Sequence, residues 1–238
     1  MKLSKRLETV ASMVTKGNRA ADVGCDHGFV PIFLVESGIS PLAVAADVRP
    51  GPLSRAKEHI KEHRLEEKIQ TRLSDGLANI KPGEADSLIM SGIGGILMMR
   101  LLQDEEHTAK SFKELILSPQ SELFDVRRYL VSNGYLIEYE HMLCDEGKYY
   151  FIFHVLVKKD EREWSEEEYR YGKDICKDDM KTFLAYLEKE ERQYEQILEK
   201  MKQAPENDRA AQRIAQLHQD ITCLKKRRKL VYDCGCFA

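Results

Sequence analysis

The sequence lacks any run of about 18 apolar residues, so no segment is expected to span a bilayer. Its first residues, MKLSKRLETVASM, alternate charged and apolar side chains instead of forming the continuous apolar stretch of a secretion signal, and a cytoplasmic protein is expected. Six cysteines are present (Cys25, Cys144, Cys176, Cys223, Cys234 and Cys236), yet no CxxC pair occurs. Free thiols are therefore expected, with Cys234 and Cys236 in a frayed tail. His27 has no second histidine, cysteine or glutamate at ligand spacing, so no metal is expected. Net charge is also small. The formal value of −3 argues against a nucleic-acid partner only until it is divided along the chain. Residues 1–160 carry 21 Lys and Arg against 23 Asp and Glu, residues 161–207 carry 9 against 14, and residues 208–230 carry 7 against 2. An acidic block is followed by a basic one.

Over the first 160 residues, short β-branched runs alternate with amphipathic stretches, the pattern of βαβ units on a parallel sheet. Strands are predicted over 19–24, 42–47, 69–74, 86–91 and 114–118, with crossover helices over 52–64 and 93–103. Two long apolar runs, 134–145 and 148–159, are then separated only by Glu146 and Gly147, and a connection that short permits only antiparallel pairing. From about Ser165 the pattern becomes heptad-like. Met180, Leu184, Leu187, Glu191, Tyr194, Leu198 and Met201 follow 4,3 spacing, which resumes in Ala210, Ile214, Leu217, Ile221, Leu224, Arg228 and Val231. Residues 204–207 form the turn, with Pro205 breaking the first helix and Asn207 or Asp208 capping the second. The expectation is an α/β domain over 1–160 and an antiparallel coiled-coil hairpin over 161–238. Its first arm would reach about 50 Å, bending near Gly172, and Arg228 would lie opposite about residue 182.

The most informative stretch is AADVGCDHG, residues 20–28, a strand running into a glycine-containing turn and then a helix from Phe29. Glycines there let a ligand approach the backbone. A dinucleotide site would need G-x-G-x-x-G, but the middle glycine is replaced by Asp26 and the last position is Phe29. A carboxylate aimed at a pyrophosphate would be repelled, whereas the cationic aminoacyl end of S-adenosylmethionine (SAM) tolerates acids such as Asp22 and Asp26. Any tight strand-to-helix turn is the competing reading. The second strand shifts the balance, because it ends in Asp47, 25 residues after Asp22 and placed to accept the ribose hydroxyls of an adenosyl group. Asp47 as a helix cap remains an alternative. The third strand ends in Ser74, Asp75 and Gly76, where an acid can take the adenine amino group.

The fourth strand ends in SGIGG, residues 91–95, where the methyl acceptor should sit. The Asp/Asn-Pro-Pro-aromatic motif of adenine-N6 enzymes is absent, as is the Pro-Cys pair that supplies the nucleophile of cytosine-C5 enzymes. A bare backbone platform suited to a flat base remains, although Gly95 fits a packing contact equally well. The cofactor contacts expected are Asp22, Gly24, Cys25, Asp26, His27, Gly28, Asp47, Val48, Asp75, Gly76, Ser91, Gly92 and Ile93. The fold they imply is Rossmann-like, of the class I SAM-dependent methyltransferase type.

Taken together, LSKRL (residues 3–7), DVGCDHG, Asp47 followed by Gly51 and Pro52, Asp75 with Gly76, SGIGG and the C-terminal helical hairpin resemble the bacterial TrmK family. The resemblance covers essentially the whole chain and departs at Ile93, where the family usually has methionine. It implies methylation of N1 of adenine at position 22 of tRNA. Adenine N1 carries an in-plane lone pair and no proton, so positioning dominates the catalytic demand. A carboxylate near the base would stabilise the positive charge that develops, and Asp26 is the candidate, with Ser91 and His27 as hydrogen-bonding partners. Asp26 could equally hold the SAM amino group.

Position 22 lies inside the tRNA fold, so the base must be extracted while cations hold the backbone. The clusters available are Lys2, Lys5 and Arg6 near the N-terminus and Lys225, Lys226, Arg227 and Arg228 on the second arm, the latter with a solvated helix end as the bland reading. A monomer is favoured. Two other classes stay open: a methyltransferase acting on a protein or small molecule, and a catalytically silent adaptor whose coiled coil binds a partner.

Overall fold

The computed structural model describes residues 3–175, 179–202 and 208–233. Lys2, Cys176, the turn at 204–207, and Cys234 and Cys236 lie outside the described residues. Five parallel strands, β1 (Ala20–Val23), β2 (Ala43–Asp47), β3 (Ile69–Leu73), β4 (Ser87–Ser91) and β5 (Glu114–Ser118), fall on the predicted runs within two residues. The hairpin strands β6 (Leu136–Asp145) and β7 (Lys148–Leu156) complete a seven-stranded sheet of order β3-β2-β1-β4-β5-β7-β6, with β7 antiparallel to both neighbours. Glu146 and Gly147 both have positive φ, +49° and +77°, as a two-residue turn matching the strand twist requires.

Helices α1 (Lys5–Ser12), α2 (Phe29–Glu36) and α3 (Pro50–Glu62) precede β3, while α4 (Gly95–Asp104), α5 (Glu106–Ala109) and α6 (Leu123–Ser132) flank β5. Strand order reverses at β1, which lies between β2 and β4, so a crevice opens at the carboxyl ends of those strands. That crevice positions the site. Ser4 caps α1, the helix that carries Arg6, by accepting from the Leu7 amide at 3.3 Å.

Beyond the sheet come α7 (Glu166–Tyr171), α8 (Met180–Lys202) and α9 (Asp208–Asp233). The first arm is not continuous from Ser165: Gly172, at φ +85°, ends α7 rather than bending a longer helix. A Cβ there would stand 3.0 Å from both Glu140 carboxylate oxygens, so the tight passage favours glycine. The remaining 23-residue α8 spans about 35 Å rather than 50 Å. Helices α8 and α9 pack together, and Leu184, Leu187, Leu198, Leu217, Leu224 and Val231 of the expected seam are buried. Phe183 and Cys223, outside that seam, are also buried because the root of the hairpin joins the hydrophobic cluster on one face of the sheet. Among the described residues no helix is long and apolar enough to cross a membrane.

Candidate active site

A cavity of about 440 Å³ lies at the carboxyl ends of β1, β2, β3 and β4. The turn after β1 is held against β2 by the Gly24 and Cys25 amides, which both donate to Ala46 O at 2.9 and 3.0 Å. Asp26 follows in the left-handed region at φ +50°, a conformation that aspartate tolerates better than most residues. Its amide donates to Asp47 Oδ2 at 3.2 Å, while the Arg49 amide donates to Asp47 Oδ1 at 2.9 Å. The buried Asp47 thus ties two strand-end turns together. The side-chain cap considered for α3 does not form, because Arg49 occupies the cap position without a side-chain hydrogen bond.

Asp22 is buried beneath this turn, and its carboxyl is pushed up to about 7, first by burial and then by neighbouring Asp47, with Arg6 pulling the other way. Burial and the three surrounding aspartates likewise push the Cys25 thiol far up, which leaves it inert as a nucleophile. Asp26 is different: its side chain is 59% exposed, with Oδ2 3.5 Å from His27 Nε2. The His27 ring stacks with Phe29 and His59 at centroid distances of 5.3 and 5.8 Å. Exposed Val48, Asp75 and Leu97 line the walls with half-buried Ile93.

The glycines divide by role. Gly24 and Gly92, at φ +82° and +84°, present bare backbone to the cavity. Gly76 also lines it, but a Cβ there would approach Leu101 Cδ2 to 2.5 Å, so this glycine serves packing on α4 as well. Gly28 is not part of the lining. Its left-handed backbone precedes α2, and a Cβ would stand 3.1 Å from that of Ala56, so this glycine serves the packing of α2 on α3. Gly95 behaves similarly, since a Cβ would meet Ser121 O at 2.5 Å.

Two residues at the β4 end of the cavity were not expected there from the sequence. Arg6, expected on an RNA-facing surface, instead enters the cavity, where Nη1 donates to Ser91 Oγ at 2.5 Å and the guanidinium lies 5.4 Å from the Tyr150 ring centroid. Gln120, in the loop after β5, was not singled out at all. Its amide donates to Ile93 O at 2.9 Å, and its side chain stands with Arg6 over Gly92. The one available signal was its place just after a strand, the position shared by every other polar lining residue of the turns.

The basic cluster of α9 is only partly free. Arg228 pairs with Glu191, and Lys225 reaches the same carboxylate at 3.6 Å, so Arg228 meets Glu191 rather than a residue near 182. Glu191 is the lone acid in the apolar seam of α8, and these cations neutralise it. Arg227 is directed inward: its guanidinium lies 5.8 Å from the Phe183 ring centroid, Nη2 donates to Lys173 O at 3.1 Å, and burial lowers its pKa. Lys225 and Lys226 remain exposed, as does Lys5. No group of three or more metal-ligating side chains occurs among the described residues.

Residues 3–153 match the model of a methyltransferase domain. The tRNA (adenine(22)-N(1))-methyltransferase of Bacillus subtilis is 28% identical over 95% of this chain and 97% of its own length. A Streptococcus pneumoniae protein, described as a candidate tRNA (m1A22) methyltransferase and solved with SAM, is 31% identical, covering 95% of this chain and all of its own, with a TM-score of 0.83. Mycoplasma capricolum TrmK, solved with S-adenosylhomocysteine, is 25% identical over 97% of this chain and all of its own, with a TM-score of 0.84. With the domain matched over most of its length and the Streptococcus relative matched nearly end to end, the chain belongs to the methyltransferase-domain family and, within it, to the bacterial TrmK family.

Proposed function

We propose that this chain transfers the methyl group of SAM to N1 of adenine at position 22 of tRNA, acting as a cytoplasmic monomer. The observation that carries the reading is the convergence of three acidic strand ends on one cavity whose remaining wall, at Ser91 and Gly92, is overlain by the side chains of Arg6 and Gln120. The name of the Bacillus relative supports the choice of acceptor. The donor set fits SAM: Asp22 is a buried carboxyl that an ammonium would stabilise, Asp47 has lone pairs left for ribose hydroxyls, and Asp75 stands where an adenine amino group would donate. When bound, SAM supplies an electrophilic methyl group on a sulfonium. Ser91, which accepts from Arg6, keeps its own proton to donate towards the acceptor base. Asp26, with His27 beside it, supplies negative charge at the mouth where the base becomes cationic. Residues 1–160 carry the chemistry, and residues 161–238 with Lys5, Lys225 and Lys226 hold the RNA.

Labelled SAM and unmodified tRNA transcripts test this reading. Methylation is expected with adenine at position 22 and is expected to vanish when that adenine alone is replaced. Turnover independent of tRNA would move the acceptor to a protein or small molecule, and SAM binding without transfer would leave an adaptor. In the same assay, Asp26→Asn separates a role in turnover from one in holding SAM.

A pH dependence follows from Asp22. In the free protein the carboxyl holds its proton below about 7, whereas the ammonium of bound SAM favours the ionised form, so binding releases a proton. SAM affinity is expected to rise with pH up to about 7, by at most about tenfold per unit, and then level off. Calorimetry across pH checks this; a flat profile, or the same slope in Asp22→Asn, would remove Asp22 from the ammonium site.

A further inference from the structure

A second cavity, about 420 Å³, lies between the turn of the β6–β7 hairpin and α8. It shares a wall with the SAM cavity, because Gln120 lines both and Tyr150, which lines the second, carries Arg6 of the first over its ring. Its other walls are Tyr149 and Tyr186, packed edge to face at 5.4 Å, with exposed Lys148 and Lys189 at the rim. The Lys189 ammonium sits 5.1 Å from the Tyr149 ring centroid. Half-exposed tyrosines beside lysines form the combination that binds an unpaired nucleotide, with the base on a ring and the phosphate on a cation. Extracting a base from a folded RNA unstacks its neighbours, so an exposed π-face is expected next to the acceptor.

We propose that this cavity binds the RNA nucleotide adjacent to the methylated adenine, stacking its base on Tyr149 and placing its phosphate between Lys148 and Lys189. The proposal rests on the tRNA reading above. Glu190 also lines the cavity, and Tyr194 Oη donates to it at 3.3 Å. A carboxyl at that wall repels phosphate and accepts from exocyclic amines, which orients the nucleotide base-inward towards α8. Gln120, at the junction, is then held against both nucleotides.

The test compares the whole protein with Tyr149→Ala and with Lys148→Ala/Lys189→Ala, using tRNA carrying an abasic nucleotide on either side of the target adenine. For the wild type, the abasic change on one side is expected to raise KM about tenfold. In Tyr149→Ala the intact tRNA should already show that rise, and the abasic change should add little. The lysine variant should bind tRNA with a shallower salt dependence, by up to about 0.9 log units for each phosphate it no longer neutralises. SAM affinity, unchanged in both, verifies folding. If Tyr149→Ala does not fold, the lysine variant decides by its salt slope. Abasic effects that are equal in wild type and Tyr149→Ala, or an unmoved salt slope, overturn the cavity while the function stands. A wild type that neither binds nor methylates tRNA overturns both.

Discussion

Glu140→Gln is expected to lower the stability of the fold by about 3–5 kcal/mol, read as a fall in the urea midpoint at constant slope. Arg127 and Glu140 are both fully buried, and their contact is bidentate, Nε to Oε1 at 3.0 Å and Nη2 to Oε2 at 2.8 Å. Arg127 Nη1 also donates to Tyr169 O and Arg170 O, and its guanidinium lies 5.2 and 5.1 Å from the ring centroids of Phe151 and Phe153. The pair therefore joins α6, β6 and α7. An amide of the same shape leaves a guanidinium buried without its counter-charge, which is the costly case. Replacing both partners, as Arg127→Met with Glu140→Leu, removes the desolvation cost together with the attraction and should recover most of the stability. A fall below about 1 kcal/mol for Glu140→Gln would show that water or another group reaches the arginine.

Asp47→Ala is expected to weaken SAM binding by about 1.5–3 kcal/mol, roughly 10- to 150-fold, because a buried charged acceptor is removed. The effect has two parts. The contact proposed with the ribose disappears, and so do the bonds from the Asp26 and Arg49 amides that hold the two turns in register. Asp47→Asn keeps one acceptor oxygen and should lose less. Isothermal calorimetry on a folded variant checks both, and unchanged affinity in Asp47→Ala would take this residue out of the binding site.

The five parallel strands and the hairpin were legible because each is a short β-branched run closed by a local turn signal. The acids at the first three strand ends were legible for the same reason: a residue at or just beyond the carboxyl end of a strand in this fold borders the crevice, as Asp22, Asp47 and Asp75 do. Gly28 and Gly95 carry the same kind of signal but serve packing against Ala56 and Ser121 O, contacts made by helices and loops far along the chain. The hairpin was readable as two apolar periodicities. Its shortened first arm was not, because the end of α7 is set by Gly172 passing the carboxylate of Glu140, a residue on β6.

By itself, the sequence determined which chemical group stands at the end of which strand, Asp22 on β1, Asp47 on β2, Asp75 after β3 and Ser91 on β4, since backbone periodicity and turn residues are local. Only the tertiary structure decided where the long cationic side chains go. Arg6 reaches Ser91 across 85 positions, and Arg227 and Arg228 turn inward to Phe183 and Glu191, while Lys225 and Lys226 stay at the surface. A guanidinium or ammonium on a flexible stem takes whichever acceptor or ring lies within several ångströms of its helix, and that choice depends on neighbours brought close by packing rather than by spacing in the chain.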